Sequence, residues 1–102
     1  MVLNKETFIC AEHLLIEPHC LVLVGSSCGS IYMIETRKNA VISYNKRIVN
    51  QPIEQILCTS SYLMLFGHKQ TPSFKAWGLA NIKEVAQLNE ALKTAPITIL
   101  LD

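Results

Sequence analysis

Residues Ala11-Glu12-His13-Leu14-Leu15-Ile16-Glu17-Pro18-His19-Cys20-Leu21-Val22-Leu23-Val24-Gly25 recur 42 positions later as Ile53-Glu54-Gln55-Ile56-Leu57-Cys58-Thr59-Ser60-Ser61-Tyr62-Leu63-Met64-Leu65-Phe66-Gly67. A Glu, three Leu and a Gly coincide without a gap. One residue further out of step, Ser30-Ile31-Tyr32-Met33-Ile34 meets Ser73-Phe74-Lys75-Ala76-Trp77. At an offset of 44, Val41 meets Val85, Asn45 meets Asn89, and Pro52-Ile53 meets Pro96-Ile97. A drift of one residue per turn is what loop variation between fixed strands produces. Self-similarity at a fixed period marks a repeat architecture.

Each copy carries four short β signals. Leu14–Ile16 and Ile53–Cys58 open the copies. Leu21–Val24 and Leu63–Phe66 are unbroken apolar runs, the pattern of strands covered on both faces. A Gly and a polar turn follow each run: Ser26-Ser27-Cys28-Gly29 in one, His68-Lys69-Gln70-Thr71-Pro72 in the other. Ile31–Glu35 and Phe74–Leu79 read as third strands, returning as hairpins. Ala40–Tyr44 and Lys83–Leu88 read as fourth strands. Tyr32 and Lys75 are expected to share an outer face.

A four-stranded unit every ~40–45 residues has the period of a β-propeller blade. The stretch Leu23–Thr36 resembles the second and third strands of a WD40 repeat. Phe74-Lys75-Ala76-Trp77-Gly78-Leu79 resembles the segment that holds that family's Trp-Asp pair, with Gly78 in place of the Asp. Ile34-Glu35 stands there in the first copy, and no Gly-His pair precedes either first strand. The expected fold is all-β: a partial propeller of two four-stranded antiparallel blades plus one extra strand. Residues 1–102 make one partial unit, with repeats over 7–46 and 51–90 and the first strand of a third over 95–102. The competing reading is a small α/β domain. In it a helix occupies 82–93, begun by Asn81 and Glu84 as a capping box and stopped by Pro96, and Lys5–Ile16 forms another.

Composition narrows the function. Nine Lys+Arg face eight Asp+Glu, a net charge of +1, so nothing indicates nucleic acid as a partner. Half the residues are hydrophobic and only four are Pro, which excludes disorder. No apolar run approaches the ~18 residues of a membrane span. Polar Asn4, Lys5 and Glu6 interrupt any apolar leader at the N-terminus. Cys10, Cys20, Cys28 and Cys58 suit free thiols in the cytoplasm or nucleus better than a disulfide framework.

Chemistry-bearing residues are sparse. Cys10-x-x-His13 with His19-Cys20 and Cys28 is the best metal set, but it lacks a second Cys-x-x-Cys pair; the expectation is no metal and no cofactor. Cys28 beside an imidazole of His13, His19 or His68 supplies the enzyme alternative, a small α/β regulatory or catalytic domain with a reactive thiol. No phosphate-binding glycine loop or serine-hydrolase motif is present, so no catalytic residue is assigned. Arg37-Lys38 and Lys46-Arg47 fall in turns flanking the fourth strand and are candidates for a charged rim meeting an acidic peptide or phosphate. Trp77 is a further contact candidate, against its reading as a packing aromatic. The resemblance implies a non-catalytic protein-protein interaction scaffold, a fragment or subunit of a larger propeller in a protein complex. Two blades do not close a ring, so completion by a protein partner or by self-association is expected.

Overall fold

The structure, a computed structural model, describes residues 6–16, 18–58, 62–66, 73–79 and 82–100. The expected turn 67–72 and the helix-starting Asn81 lie outside those residues. The elements run β1 (Phe8–Ile16), β2 (His19–Ser26), β3 (Ile31–Glu35), β4 (Ala40–Asn45), β5 (Gln55–Cys58), β6 (Tyr62–Phe66), β7 (Ser73–Gly78), α1 (Val85–Leu92) and β8 (Ile97–Leu100). They form two four-stranded antiparallel sheets, β1-β2-β3-β4 and β5-β6-β7-β8. The protein is therefore mostly β, in two antiparallel sheets whose strands follow one another in chain order, with α1 between β7 and β8.

Two expectations are corrected in the second copy. Residues 83–88 are not a fourth strand. Ala86, Gln87, Leu88, Glu90, Ala91 and Leu92 favour helix, and Val85, Leu88 and Leu92 recur at helical spacing, with Leu88 and Leu92 buried. Helix α1 starts at Glu84, whose backbone N–H donates to Gln87 Oε1 at 3.1 Å. The fourth strand is instead β8, which pairs with β7 through Ala76↔Ile97 and Lys75↔Thr98. The segment expected to open a third repeat therefore completes the second sheet, and no spare strand is left in 97–100. In the first copy, Lys5–Ile16 is not a helix: 8–16 is strand β1.

Register explains the faces of the first sheet. The cross-strand rows Cys10–Gly25–Ile31–Asn45, Glu12–Leu23–Met33–Ser43 and Leu14–Leu21–Glu35–Ala40 lie on one face. The centre of that inner face is buried: Leu21, Leu23, Ile31 and Met33 join Ile53, Ile56, Trp77, Leu88 and Leu92 in one core. The alternate rows, Ala11–Val24–Tyr32–Tyr44 and His13–Val22–Ile34–Val41, form the outer face. A bulge at Ile9, between the pairs Phe8↔Ser26 and Cys10↔Gly25, puts Phe8 on that outer face too. Its ring centroid lies 4.8 Å from that of Tyr32, which lies 4.6 Å from that of Tyr44.

The sheets meet with β1 against β5. Ile53, in the link between them, is the plug. It is fully buried, its N–H donates to Ser26 O at 3.1 Å, and its carbonyl accepts from Cys10 Sγ at 3.1 Å. Gly25 makes the close approach possible: a Cβ there would stand 2.6 Å from Ile53 Cγ2. Helix α1 bridges β4 and β7. Asn89 Oδ1 accepts from Ser43 Oγ at 2.7 Å and from Asn45 Nδ2 at 3.2 Å, and the carbonyl of Thr94, just past the helix, accepts from Trp77 Nε1 at 3.0 Å.

The third strands align differently from the sequence match. Leu21 pairs with Glu35 and Leu63 with Trp77, so Trp77 stands where Glu35 does rather than where Ile34 does. The expected outer pairing of Tyr32 with Lys75 fails for the same reason. Tyr32 is buried on the outer face of the first sheet, whereas Lys75 alternates with Ala76 on the side of Trp77.

Candidate functional site

Arg37 and Lys38 occupy the β3–β4 turn, closed by Asn39 at φ 49°. Lys46 and Arg47 follow β4, at its other end. The six residues of β4 separate the two pairs by about 20 Å at the ordinary strand rise, so no single rim holds both. Arg47 has φ 48°, a left-handed backbone that costs a non-glycine residue free energy. Two bonds hold it: its N–H donates to Ser30 Oγ at 2.9 Å, and Val49 N–H donates to Gly29 O at 3.3 Å. Gly29 is itself at φ 83° beneath this loop, where a Cβ would stand 2.1 Å from Val49 O.

Under that turn lies a carboxylate network that sequence reading did not select. Glu6 is only 2% exposed. Its Oε1 accepts from Ser26 Oγ at 2.9 Å; its Oε2 accepts from Tyr44 OH at 3.0 Å and from Tyr32 OH. Burial pushes the Glu6 carboxyl up, but the hydroxyls of Ser30, Tyr32, Ser26 and Tyr44 outweigh it and hold the group down at about 2. Tyr32 is raised, first by burial and then by Glu6. Thr7 exchanges bonds with Ser27 at 2.8 and 3.0 Å. Residues 6–7 are thus a strap across the ends of β2, β3 and β4. Its only sequence signal is an acid before a strand, too common to find it by.

Three depressions surround Arg47. One of about 450 Å³ is lined by Tyr44, Asn45, Lys46, Arg47, Ile48, Leu92, Lys93 and Thr94. A second of about 410 Å³ lies over Cys28, Arg47, Asn50, Gln51 and Pro52. A third of about 220 Å³ reaches Glu6 and Tyr44. Lys93 and Thr94 were missed in the sequence because α1, not proximity along the chain, brings them to β4.

Trp77 is 3% exposed and bonded to Thr94 O. It is a core strut, not a surface anchor. Gly78 has open space where a side chain would stand.

The Cys/His set does not converge. Cys10 and His13 pair with Gly25 and Val22 and so lie on opposite faces of β1. Cys10 donates to Ile53 O, and His19 Nδ1 bonds Glu35 Oε2 at 3.0 Å. The hydrogen bond from the Arg37 backbone N–H, with His19 adding to it, holds the Glu35 carboxyl below the ordinary range. No group of three metal-ligating side chains forms among the described residues. Cys28 sits in the β2–β3 turn with Ser27 Oγ 3.9 Å from its sulfur, and no imidazole bonds it among the described residues; His68 lies outside them. Burial raises the Cys10 thiol, and burial with the Glu12 charge pushes Cys58 up to about 12, so neither is a ready nucleophile at neutral pH.

The remaining surface feature is the outer face of the first sheet. Away from the strap, Leu15 is 62% exposed and Val41 54%, with Val22 and Ile34 half-buried between them. No helix among the described residues is long and apolar enough to cross a membrane. No family model and no curated protein matches the chain.

Proposed function

We propose that the protein is a non-catalytic protein-protein interaction module, a blade-like unit of a larger β-propeller assembly. One observation carries the reading. Strand β2 is apolar on both faces, yet among the described residues its outer face is covered only at the strap end, where Val24 and Ser26 are buried. Leu21 and Leu23 are buried against the second sheet, while Val22, with Ile34, Val41 and Leu15, faces outward and stays partly or fully exposed. An apolar sheet face of this kind marks a contact surface, and a further sheet stacked about 10 Å away is the usual cover.

Three features support blades as the unit. Each sheet is a four-stranded meander in sequence order, the two first strands lie side by side, and the linker plug Ile53 joins the sheets directly. The four free cysteines fit a reducing compartment, cytoplasmic or nuclear. The covering sheet is a further unit of that assembly.

The test is size measurement by light scattering across a concentration series, with and without extract proteins, on the chain and on Leu15→Lys/Val41→Lys. Both sites are exposed, so the double variant should keep its melting temperature within the range of surface changes. The reading requires an assembly formed by the native chain and lost in the variant. A monomer with no captured protein, or an assembly indifferent to the two lysines, refutes it.

A further inference from the structure

Among the described residues, the depression beside Lys46 is lined by three cationic side chains, Lys46, Arg47 and Lys93, and by no carboxylate. Lys93 pairs with Glu90 at 3.2 Å, but both are well exposed, so that pair is weak and exchangeable. The adjoining depression over Asn50, Gln51 and Pro52 also has no acidic lining residue among the described ones. Glu6 already receives three hydroxyls and lies in the smallest of the three depressions. Arg47 lines all three. Its backbone is pinned by Ser30, so the guanidinium starts from a fixed base.

We propose that this surface binds an acidic, extended peptide segment of a protein partner, with a carboxylate on Arg47 and flanking carboxylates on Lys46 and Lys93. The inference rests on the interaction-module reading and names its partner chemistry. Arg presents a planar fork that matches a carboxylate with two parallel hydrogen bonds. The amides of Asn50 and Gln51 beside it suit the polar backbone of an extended chain. Two depressions meeting at one arginine make a track longer than a single small anion fills. Three cations in a chain of net charge +1 are too few for a nucleic-acid backbone. The helix C-terminus beside Lys93 disfavours an isolated anion there, which places the strongest contact on Arg47.

The experiment is fluorescence anisotropy with a labelled ten-residue peptide alternating Glu and Ser, against the same peptide with Gln for Glu, and against inorganic phosphate as competitor. Trp77 emission serves as an internal reporter, because its indole donates to Thr94 O and Thr94 lines the depression. The expected result is binding of the Glu peptide at least tenfold tighter than the Gln peptide, weakened as salt shortens the Debye length, with a shift in Trp77 emission. Arg47→Asn, which tolerates the left-handed backbone, should lose about tenfold and Lys46→Ala about threefold to fivefold. Arg37→Ala/Lys38→Ala, at the far end of β4, should lose nothing. Equal binding of the two peptides, an equal loss in the Arg37/Lys38 variant, or displacement by phosphate at the peptide's own concentration overturns the assignment. The Leu15/Val41 variant separates the two readings: if it still loses assembly while the Glu peptide fails to bind, only the peptide site is wrong.

Discussion

Replacing Gly25 by alanine puts the sheet-to-sheet contact under direct test. The new methyl would stand 2.6 Å from Ile53 Cγ2 and 2.9 Å from both Ile53 Cβ and Cys10 Sγ, against an ordinary carbon contact of about 3.5–4.0 Å. Ile53 cannot retreat cheaply, because its N–H and carbonyl are both bonded, to Ser26 and Cys10. Overpacking of this kind costs about 1–3 kcal/mol. Taking about 2 kcal/mol, the melting temperature of a domain this size should fall by about 8–16 °C. Ile53→Ala alone removes a fully buried side chain and should cost about 2–5 kcal/mol. In the double variant the methyl introduced by Gly25→Ala partly fills the space Ile53 leaves, so the two losses should fall short of additive by about 1 kcal/mol or more. Urea unfolding followed by Trp77 fluorescence measures all four corners of the cycle. Additivity within about 0.5 kcal/mol, or a Gly25→Ala variant as stable as the native chain, would show that Ile53 does not sit against Gly25, and the packing described above would be wrong.

Acid should act through the strap. The Glu6 carboxyl, held at about 2 against an ordinary 4.5, contributes stability that is complete above the ordinary value and is lost as pH falls through about 2. Glu6→Gln should therefore melt lower than the native chain at pH 7 and lose less on acidification to about pH 2.5; parallel melting curves against pH would count against the network. Removing its hydrogen bonds to a charged acceptor should cost about 1.5–3 kcal/mol at neutral pH. Alkylation should separate the thiols: at about pH 8, Cys10 and Cys58 should react far more slowly in the native chain than in urea, read by mass spectrometry of the labelled peptides. Labelling of Cys58 at its denatured rate in the native state would contradict the burial assigned to it.

The first meander was legible because its signals are local. Leu21–Val24, the Ser26–Gly29 turn and Ile31–Glu35 are adjacent in sequence, and their hairpin pairs them directly. The second copy misled at its last strand. Val85 and Asn89 matched Val41 and Asn45 by position, but helix propensity and the spacing of Val85, Leu88 and Leu92 decided the local structure. The displaced strand moved on to 97–100, since β7 still needed a partner for its backbone groups. Lys46 and Arg47 could be singled out from sequence as a basic turn. Lys93, Thr94 and Glu6 could not, because a helix docked across β4 and a strap over three strand ends bring them there.

By itself the sequence determined the repeat, the β periodicity, the apolar character of β2 on both sides and the near-neutral charge. These follow from residue type and spacing, which act over one strand or one turn. The tertiary structure alone decided which face of the first sheet is covered, that Trp77 is a strut, and which cations share a depression. Each of these depends on where the second sheet and α1 come to rest on the first. That placement is set by the plug at Ile53, the clearance at Gly25 and the Asn89 bridge, contacts between residues as many as 46 positions apart in the chain.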